Sequence, residues 1–256
     1  MTLLEVFDAD ALTVKVYDAA TALAQAAATR VVEQLSQTLI TQAQAATVFA
    51  TGNSQRSLLA YLRAHPQALD WSKVTGFHLD EYLGLGASHP ASFQAYLDQR
   101  IAQHLPFHGF HYLQGDAVEP LVECERYETL LRSQLLAVAL LGIGTNGHLA
   151  FNDPAVARFQ EARWVKLVKL DRQNRQQQVE GGAFATLGEV PQYAYTLTLS
   201  AIFAVQSLVC VAFGENKASI IKRLLQGPIT PECPASILRK HSQAALFLDV
   251  AAASKL

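Results

Sequence analysis

The sequence is poor in charge, poor in cysteine and without any long apolar run, and each shortage closes off a class of function. Only 16% of its 256 residues are charged, 20 basic against 22 acidic, for a net charge of −2. No block of like charge is present to track a nucleic-acid backbone or lie on an anionic membrane, so neither partner is expected. Any anion must be recognised locally. Cys124, Cys210 and Cys233 lie far apart and lack the paired spacing of a zinc site or redox dithiol. Reduced thiols in a cytoplasmic protein are the expected state. The most conspicuous apolar run, Leu135–Ile143, is far short of the roughly 20 residues of a spanning helix and reads as a buried strand. Glu5 and Asp8 stand where a secretory leader needs positive charge, so no secretion is expected.

What the chain does have is apolar residues, half of the total, enough to rule out disorder and to fill a full core. No repeat and no Pro/Gly/Ser-rich linker divides residues 1–256, which are read as one domain. Composition leaves homo-oligomerisation open. Short β-branched runs at Thr13–Tyr17, Ala46–Ala50, Val74–Leu79, Leu136–Leu141, Ser207–Phe213 and Ala244–Leu248 read as strands. They alternate with helical stretches at Ala19–Gln42, Ser54–Ala64, Ser92–His104, Val122–Leu131 and Asn216–Leu225. That alternation predicts an α/β fold, a mainly parallel open sheet flanked by helices and Rossmann-like in outline. Phe159–Tyr195 is the least regular stretch and is read as a candidate cover over a site.

Open parallel sheets bind ligands beyond the carboxyl ends of their strands, and three such segments carry unusual chemistry. Thr51-Gly52-Asn53-Ser54 follows the second strand and leads into a helix, where a glycine turn and a helix N-terminus suit a phosphate; an ordinary helix cap is the competing reading. Asp80 and Glu81 end the third strand. Successive strand side chains point to opposite faces, so one of the two is expected to face the site. A partly desolvated carboxylate there can take a proton from carbon beside a carbonyl, although a surface loop acid would look the same.

The third segment is Gly142–Pro154. Gly142, Gly144 and Gly147 match the dinucleotide fingerprint G-x-G-x-x-G, but that fingerprint needs a helix to open at the last glycine. His148-Leu149-Ala150-Phe151-Asn152 follows instead, and a helix start is more plausible at Asp153-Pro154. The better reading is a loop in which Gly144 and Gly147 bring backbone close to a small substrate and present His148, with Asn146, Asn152 and Asp153 around it. Imidazole titrates near neutrality and can pass protons between oxygens. His104, His108 and His111 are interrupted by Pro106 and Gly109 and share no ligating face; no metal and no organic cofactor is expected. Lys217, after Gly214-Glu215-Asn216, is a candidate phosphate contact or a solvated helical lysine.

Phe77-His78-Leu79-Asp80-Glu81-Tyr82-Leu83-Gly84-Leu85, His89-Pro90-Ala91-Ser92-Phe93 and the run Leu141–Pro154 together resemble the glucosamine-6-phosphate deaminase/isomerase family, within the larger group that contains 6-phosphogluconolactonases. The resemblance covers most of the chain, and Leu141–Pro154 is its most specific part. It implies a sugar phosphate substrate, with Asp80 as the base that moves a proton between C2 and C1 and His148 as the ring-opening catalyst. Asp153 stands in place of the family's glutamate beside the histidine, and Asn146 in place of an aspartate. Thr51–Ser54 matches the phosphate loop, Glu81 lies beside the substrate acid, and Lys217 matches a phosphate lysine.

The chain departs from the family pattern in four places. The phosphate loop lacks the second glycine and the proline of Ser/Thr-Gly-Gly-Ser/Thr-Pro. Asp153 is one methylene shorter than glutamate. The family's phosphate arginine falls near Gln178 in an ungapped reading, which leaves Arg175 as a neighbouring candidate. Residues of an allosteric site known in some members are not matched. The implied reaction converts glucosamine 6-phosphate and water to fructose 6-phosphate and ammonia. A lactonase-like hydrolase and a non-catalytic sugar-phosphate sensor are the alternatives; the former is disfavoured by Leu-Ala-Phe-Asn-Asp-Pro after His148.

Overall fold

Six short runs of apolar and β-branched residues become adjacent strands of one sheet, five of them buried on both sides and the Leu12–Tyr17 strand alternating buried and half-buried residues. The computed structural model describes residues 2–256, the side chain of residue 173 excepted. The chain runs β1 (Leu3–Ala9), β2 (Leu12–Tyr17), α1 (Ala20–Thr41), β3 (Ala45–Phe49), α2 (Arg56–Ala64), β4 (Val74–His78), β5 (Asp80–Tyr82), α3 (Phe93–Leu97), β6 (Gly109–His111) and α4 (Pro120–Arg132). It continues with β7 (Leu136–Gly142), β8 (Val165–Lys169), α5 (Arg172–Glu180), β9 (Tyr193–Leu197), α6 (Leu199–Phe203), β10 (Ser207–Ala212), α7 (Ala218–Gln226) and β11 (Ala244–Asp249). The eight-stranded sheet has the order β1-β2-β11-β10-β7-β3-β4-β6, and only the edge pair β1–β2 is antiparallel.

Alternate residues of the parallel strands enter two different cores. Phe49, Val138, Leu140, Val209, Val211 and Phe247 meet the buried faces of α1 and α2. Val48, Ala139, Leu141, Cys210, Leu246 and Leu248 meet α4, α6 and α7 on the opposite face. The helices fit because their apolar residues recur one turn apart. In α1 these are Leu23, Ala27, Val31 and Leu35, and the small alanines Ala24 and Ala28 let the helix lie close to the strands. Truncating Leu35 or Leu62, both essentially fully buried, to alanine would cost on the order of 2–5 kcal/mol.

Chain direction across the sheet reverses between β3 and β7. From β3 the chain passes through α2 to β4 on one side, and from β7 it returns to β10 on the other. At such a switch point the connections leave on opposite faces and open a crevice beyond the strand ends.

Three expectations are corrected. Phe159–Tyr195 is not irregular: it holds β8, α5 and the start of β9, and with β5 these strands form a second, antiparallel sheet ordered β5-β9-β8. No helix starts at Asp153-Pro154; Val156 and Ala157 both donate their N–H to the Asp153 carbonyl in one isolated turn. The helix expected over Ser92–His104 is α only through Leu97, after which Asp98–Ala102 widens into a π turn.

Candidate active site

The ends of β4, β3, β7 and β10, four successive strands of the sheet, converge on a cavity of about 470 Å³, the size of a small-molecule site. Asp80, His148, Lys217 and the loop Thr51–Ser54 all line it, as does Gly144. The remaining expected residues lie behind this wall or away from it.

Asp80 is 7% exposed and receives no hydrogen bond from any described residue. Burial, with the neighbouring Glu81 charge, pushes its carboxyl well above the usual carboxylate range. A buried carboxylate without protein donors is a strong base for a substrate proton.

Glu81 was expected among the substrate contacts, and it does not line the cavity. Strand alternation turns it to the far side, where its carboxylate accepts from Tyr82 N at 2.9 Å, Ser92 Oγ at 2.8 Å, Phe93 N at 3.0 Å and Gln94 N at 2.9 Å. The acid thereby fastens the start of α3, and Phe93 from that segment lines the cavity. Burial raises the Glu81 pKa while these four bonds oppose the rise.

Gly144–His148 closes on itself through Gly144 N to His148 O at 3.0 Å and Gly147 N to Gly144 O at 3.0 Å. The imidazole lies so close over Gly144 that a β-carbon there would overlap the ring. Gly147 adopts φ +90° and does not reach the cavity; it packs against Cys233, so its place is structural. The non-glycine Ala150 also takes a left-handed φ of 51° and lines the cavity. Backbone strain of this kind, where it is tolerated, tends to gather at working sites.

Asp153 stands behind His148. Its Oδ1 is 2.9 Å from His148 Nδ1, close enough for an ion pair when the imidazole is protonated. Asn146 Nδ2 donates to the same oxygen at 2.9 Å, and Asn174 Nδ2 donates to Oδ2 at 3.0 Å. Burial works to raise the Asp153 pKa, but His148 and the two amides outweigh it and hold the carboxyl below its ordinary value. Asn146 Oδ1 also accepts from His148 N at 3.0 Å. The shorter acid therefore reaches its histidine.

Thr51–Ser54 turns through Gly52 at φ +90°, and Tyr96 Oη donates to Gly52 O at 2.7 Å to brace it. On the facing strand end Gly214, at φ +87°, donates its N–H to Asp249 and starts the turn that carries Lys217. Lys217 Nζ donates to Ile143 O at 2.7 Å, and burial lowers its pKa. An arriving anion would relieve that desolvation.

Arg175 does not line the cavity. Its guanidinium is spent on Leu187 O at 2.6 Å and Val190 O at 2.8 Å, tying the loop after α5. Asn174, Gln177 and Gln178, on the i, i+3, i+4 face of α5, line the cavity instead. Gln177 Nε2 donates to Thr145 Oγ1 at 2.9 Å and joins α5 to the histidine loop. Asn174 and Gln177 went unrecognised in the sequence because α5 is almost wholly polar and shows no apolar period; the only signal was the Asp171 cap, which accepts from Asn174 N.

Comparison with known proteins places these features in context. The model of the glucosamine-6-phosphate isomerases/6-phosphogluconolactonase family matches residues 18–247. Glucosamine-6-phosphate deaminase of an Exiguobacterium species is 37% identical over 206 residues, 80% of this chain and 78% of that protein. The Lacticaseibacillus paracasei enzyme of the same name is 36% identical over 190 residues, 73% of this chain and 78% of its own. Among solved structures, a monomeric glucosamine-6-phosphate deaminase superposes with a TM-score of 0.87 at 30% identity, covering 95% of this chain and 99% of that one. A 6-phosphogluconolactonase from Thermotoga maritima reaches 0.75 at 17% identity, over 93% and 99% of the two chains, and shares the fold.

Proposed function

The chain belongs to the glucosamine-6-phosphate isomerase/6-phosphogluconolactonase family, and on that premise we propose that it converts glucosamine 6-phosphate and water to fructose 6-phosphate and ammonia. The observation that carries the reading is the Asp80 carboxyl, buried without a protein donor in the same cavity as His148 and Lys217. A hydrolase acting on an ester needs an activated water; a buried, unbonded carboxylate suits abstraction of a proton from carbon.

Lys217, Ser54 and the backbone of Thr51–Asn53 hold the phosphoryl group, and this anchoring orients the rest of the sugar. His148, with Asp153 balancing its charge, moves the proton between ring oxygen and anomeric hydroxyl that opens the ring. Asp80 then takes the C2 proton of the open amino-aldehyde and returns a proton to C1, leaving C1 reduced to a carbinol and C2 oxidised to an imine. Water adds to C2, the C–N bond breaks and ammonia departs, giving the ketose. Asn146 and Asn174 position Asp153 through their amides. We place the protein in the cytoplasm, where phosphorylated sugars are retained and the three free thiols stay reduced.

The test is a side-by-side assay of the purified chain for ammonia release from glucosamine 6-phosphate and for hydrolysis of 6-phosphogluconolactone. Faster turnover of the amino sugar is expected. Faster turnover of the lactone would overturn the assignment, and tight binding of both without turnover would mark a sensor.

A further inference from the structure

Beneath the Thr51–Ser54 loop lies a glutamine whose side chain is fully buried and yet half satisfied. Gln55 Nε2 donates to Leu141 O at 3.2 Å and to Ser54 Oγ at 3.0 Å, while its Oε1 has no partner. Leu141 O can only accept, so the amide cannot be turned over without setting two acceptors against each other. Both Nε2 protons are thereby assigned. One of them occupies a lone pair of the Ser54 hydroxyl.

Ser54 lines the cavity, and its hydroxyl donates to no described protein group. A serine has one proton to give. Because the amide presents Nε2 and not its accepting Oε1 to the hydroxyl, the serine proton finds no acceptor in Gln55 and is left for the cavity. Gly142 keeps the arrangement possible, since a β-carbon there would lie 2.7 Å from Ser54 Oγ. Gln55 holds the position at which the family pattern has proline, and an apolar or ring side chain would fill this space without stranding a buried acceptor. The desolvation of Oε1 is tolerated in exchange for an oriented donor.

We propose that Gln55 is a positioning residue for anion binding: by donating to Ser54 Oγ it reserves the serine's only proton for a phosphoryl oxygen in the cavity. The inference rests on the reading of Thr51–Ser54 as the phosphate loop of the proposed deaminase. It makes Ser54 a fixed donor beside the Lys217 cation, and so sharpens recognition of the phosphate end of the substrate without touching the reacting carbons.

The experiment is a double-mutant cycle of Gln55→Met and Ser54→Ala, read by calorimetric titration with inorganic phosphate and by the KM and kcat for glucosamine 6-phosphate, on protein whose cooperative melting has been verified. Gln55→Met is expected to weaken phosphate and raise KM roughly three- to tenfold, with a smaller effect on kcat. In the Ser54→Ala background the same substitution should have almost no further effect. If Gln55→Met does not melt cooperatively, the neutral Gln55→Leu takes its place, and coupling to Ser54 is again the criterion.

Additive effects of the two substitutions, an unchanged phosphate affinity in a folded Gln55 variant, or a wild-type protein that binds neither phosphate nor the sugar phosphate would each overturn the proposal. Phosphate binding with the expected coupling but no ammonia release would overturn the deaminase reading alone.

Discussion

His148 is held between two groups that fix it from opposite requirements: Asp153 Oδ1 stands 2.9 Å from its Nδ1, and Gly144 offers the ring a surface without a β-carbon. The carboxylate sets the charge beside the imidazole and the glycine sets how far the ring can withdraw into the wall. Both decide where the proton carrier sits.

Gly144→Ala is therefore expected to push the imidazole out of register. Misplacement of a catalytic group by about 1 Å can cost about a hundredfold in rate, and a loss of that order in kcat is the expected outcome. Steady-state kinetics together with a melting curve check it. A variant that folds and turns over normally would show that the ring's position over Gly144 has no bearing on catalysis.

Lys217 lines the cavity as a half-buried cation bonded to Ile143 O. Replacing it with methionine keeps the stem and removes the charge. A charge-assisted hydrogen bond is worth about 1.5–3 kcal/mol, so KM should rise by roughly ten- to a hundredfold, with kcat less affected. Competition by inorganic phosphate should weaken in parallel. An unchanged KM would remove Lys217 from the phosphate site.

Glu81 acts on Asp80 through space. Asp80 must be ionised to serve as base, and burial, followed by the Glu81 charge, raises its pKa, so the acid limb of kcat/KM should lie above the ordinary carboxylate range. Removing the neighbouring charge favours the ionised form. Glu81→Gln should move that limb to lower pH. It also gives up acceptor sites for Ser92, Phe93 and Gln94, at a cost of about 1–3 kcal/mol. A pH–rate profile with the limb unmoved would contradict the coupling.

The same burial makes Asp80 a burden on stability. Its folded pKa is raised above its unfolded value, so the stability it allows is full below the unfolded pKa and is lost as pH rises through the folded one. Asp80→Asn should accordingly be more stable than the wild type at neutral pH, by on the order of 1–2 kcal/mol. The difference should fade as pH falls toward the unfolded carboxylate range. Thermal melts at several pH values measure it, and a variant less stable at neutral pH would contradict the assigned environment.

Legibility in the sequence followed how each element earns its burial. The central strands, such as Leu136–Gly142 and Ser207–Ala212, are buried on both faces and read directly as apolar runs. β8 and β9 are harder to read: β8 is only partly buried and carries Lys166 and Lys169 among its apolar residues, and β9, though buried from Ala194 on, is a run of five residues that mixes tyrosine and threonine with alanine and leucine. Asp80, His148, Lys217 and the Thr51–Ser54 loop could be read from their places after strands. Arg175 was a candidate by residue type, and a helical turn of about 100° per residue sets it off the face that presents Asn174 and Gln178. The bracing of Asp153 by Asn174 joins residues 21 apart through a separate sheet, and no local pattern announces it.

The central claim is that the Asp80 carboxylate moves the proton that turns the amino-aldose into a ketose. Its most direct measurement is ammonia release from glucosamine 6-phosphate by wild type and Asp80→Asn at the same pH, with phosphate binding confirmed in both. Loss of the base is expected to reduce kcat by at least about a hundredfold while phosphate affinity is retained. An Asp80→Asn protein that releases ammonia at close to the wild-type rate would contradict the account.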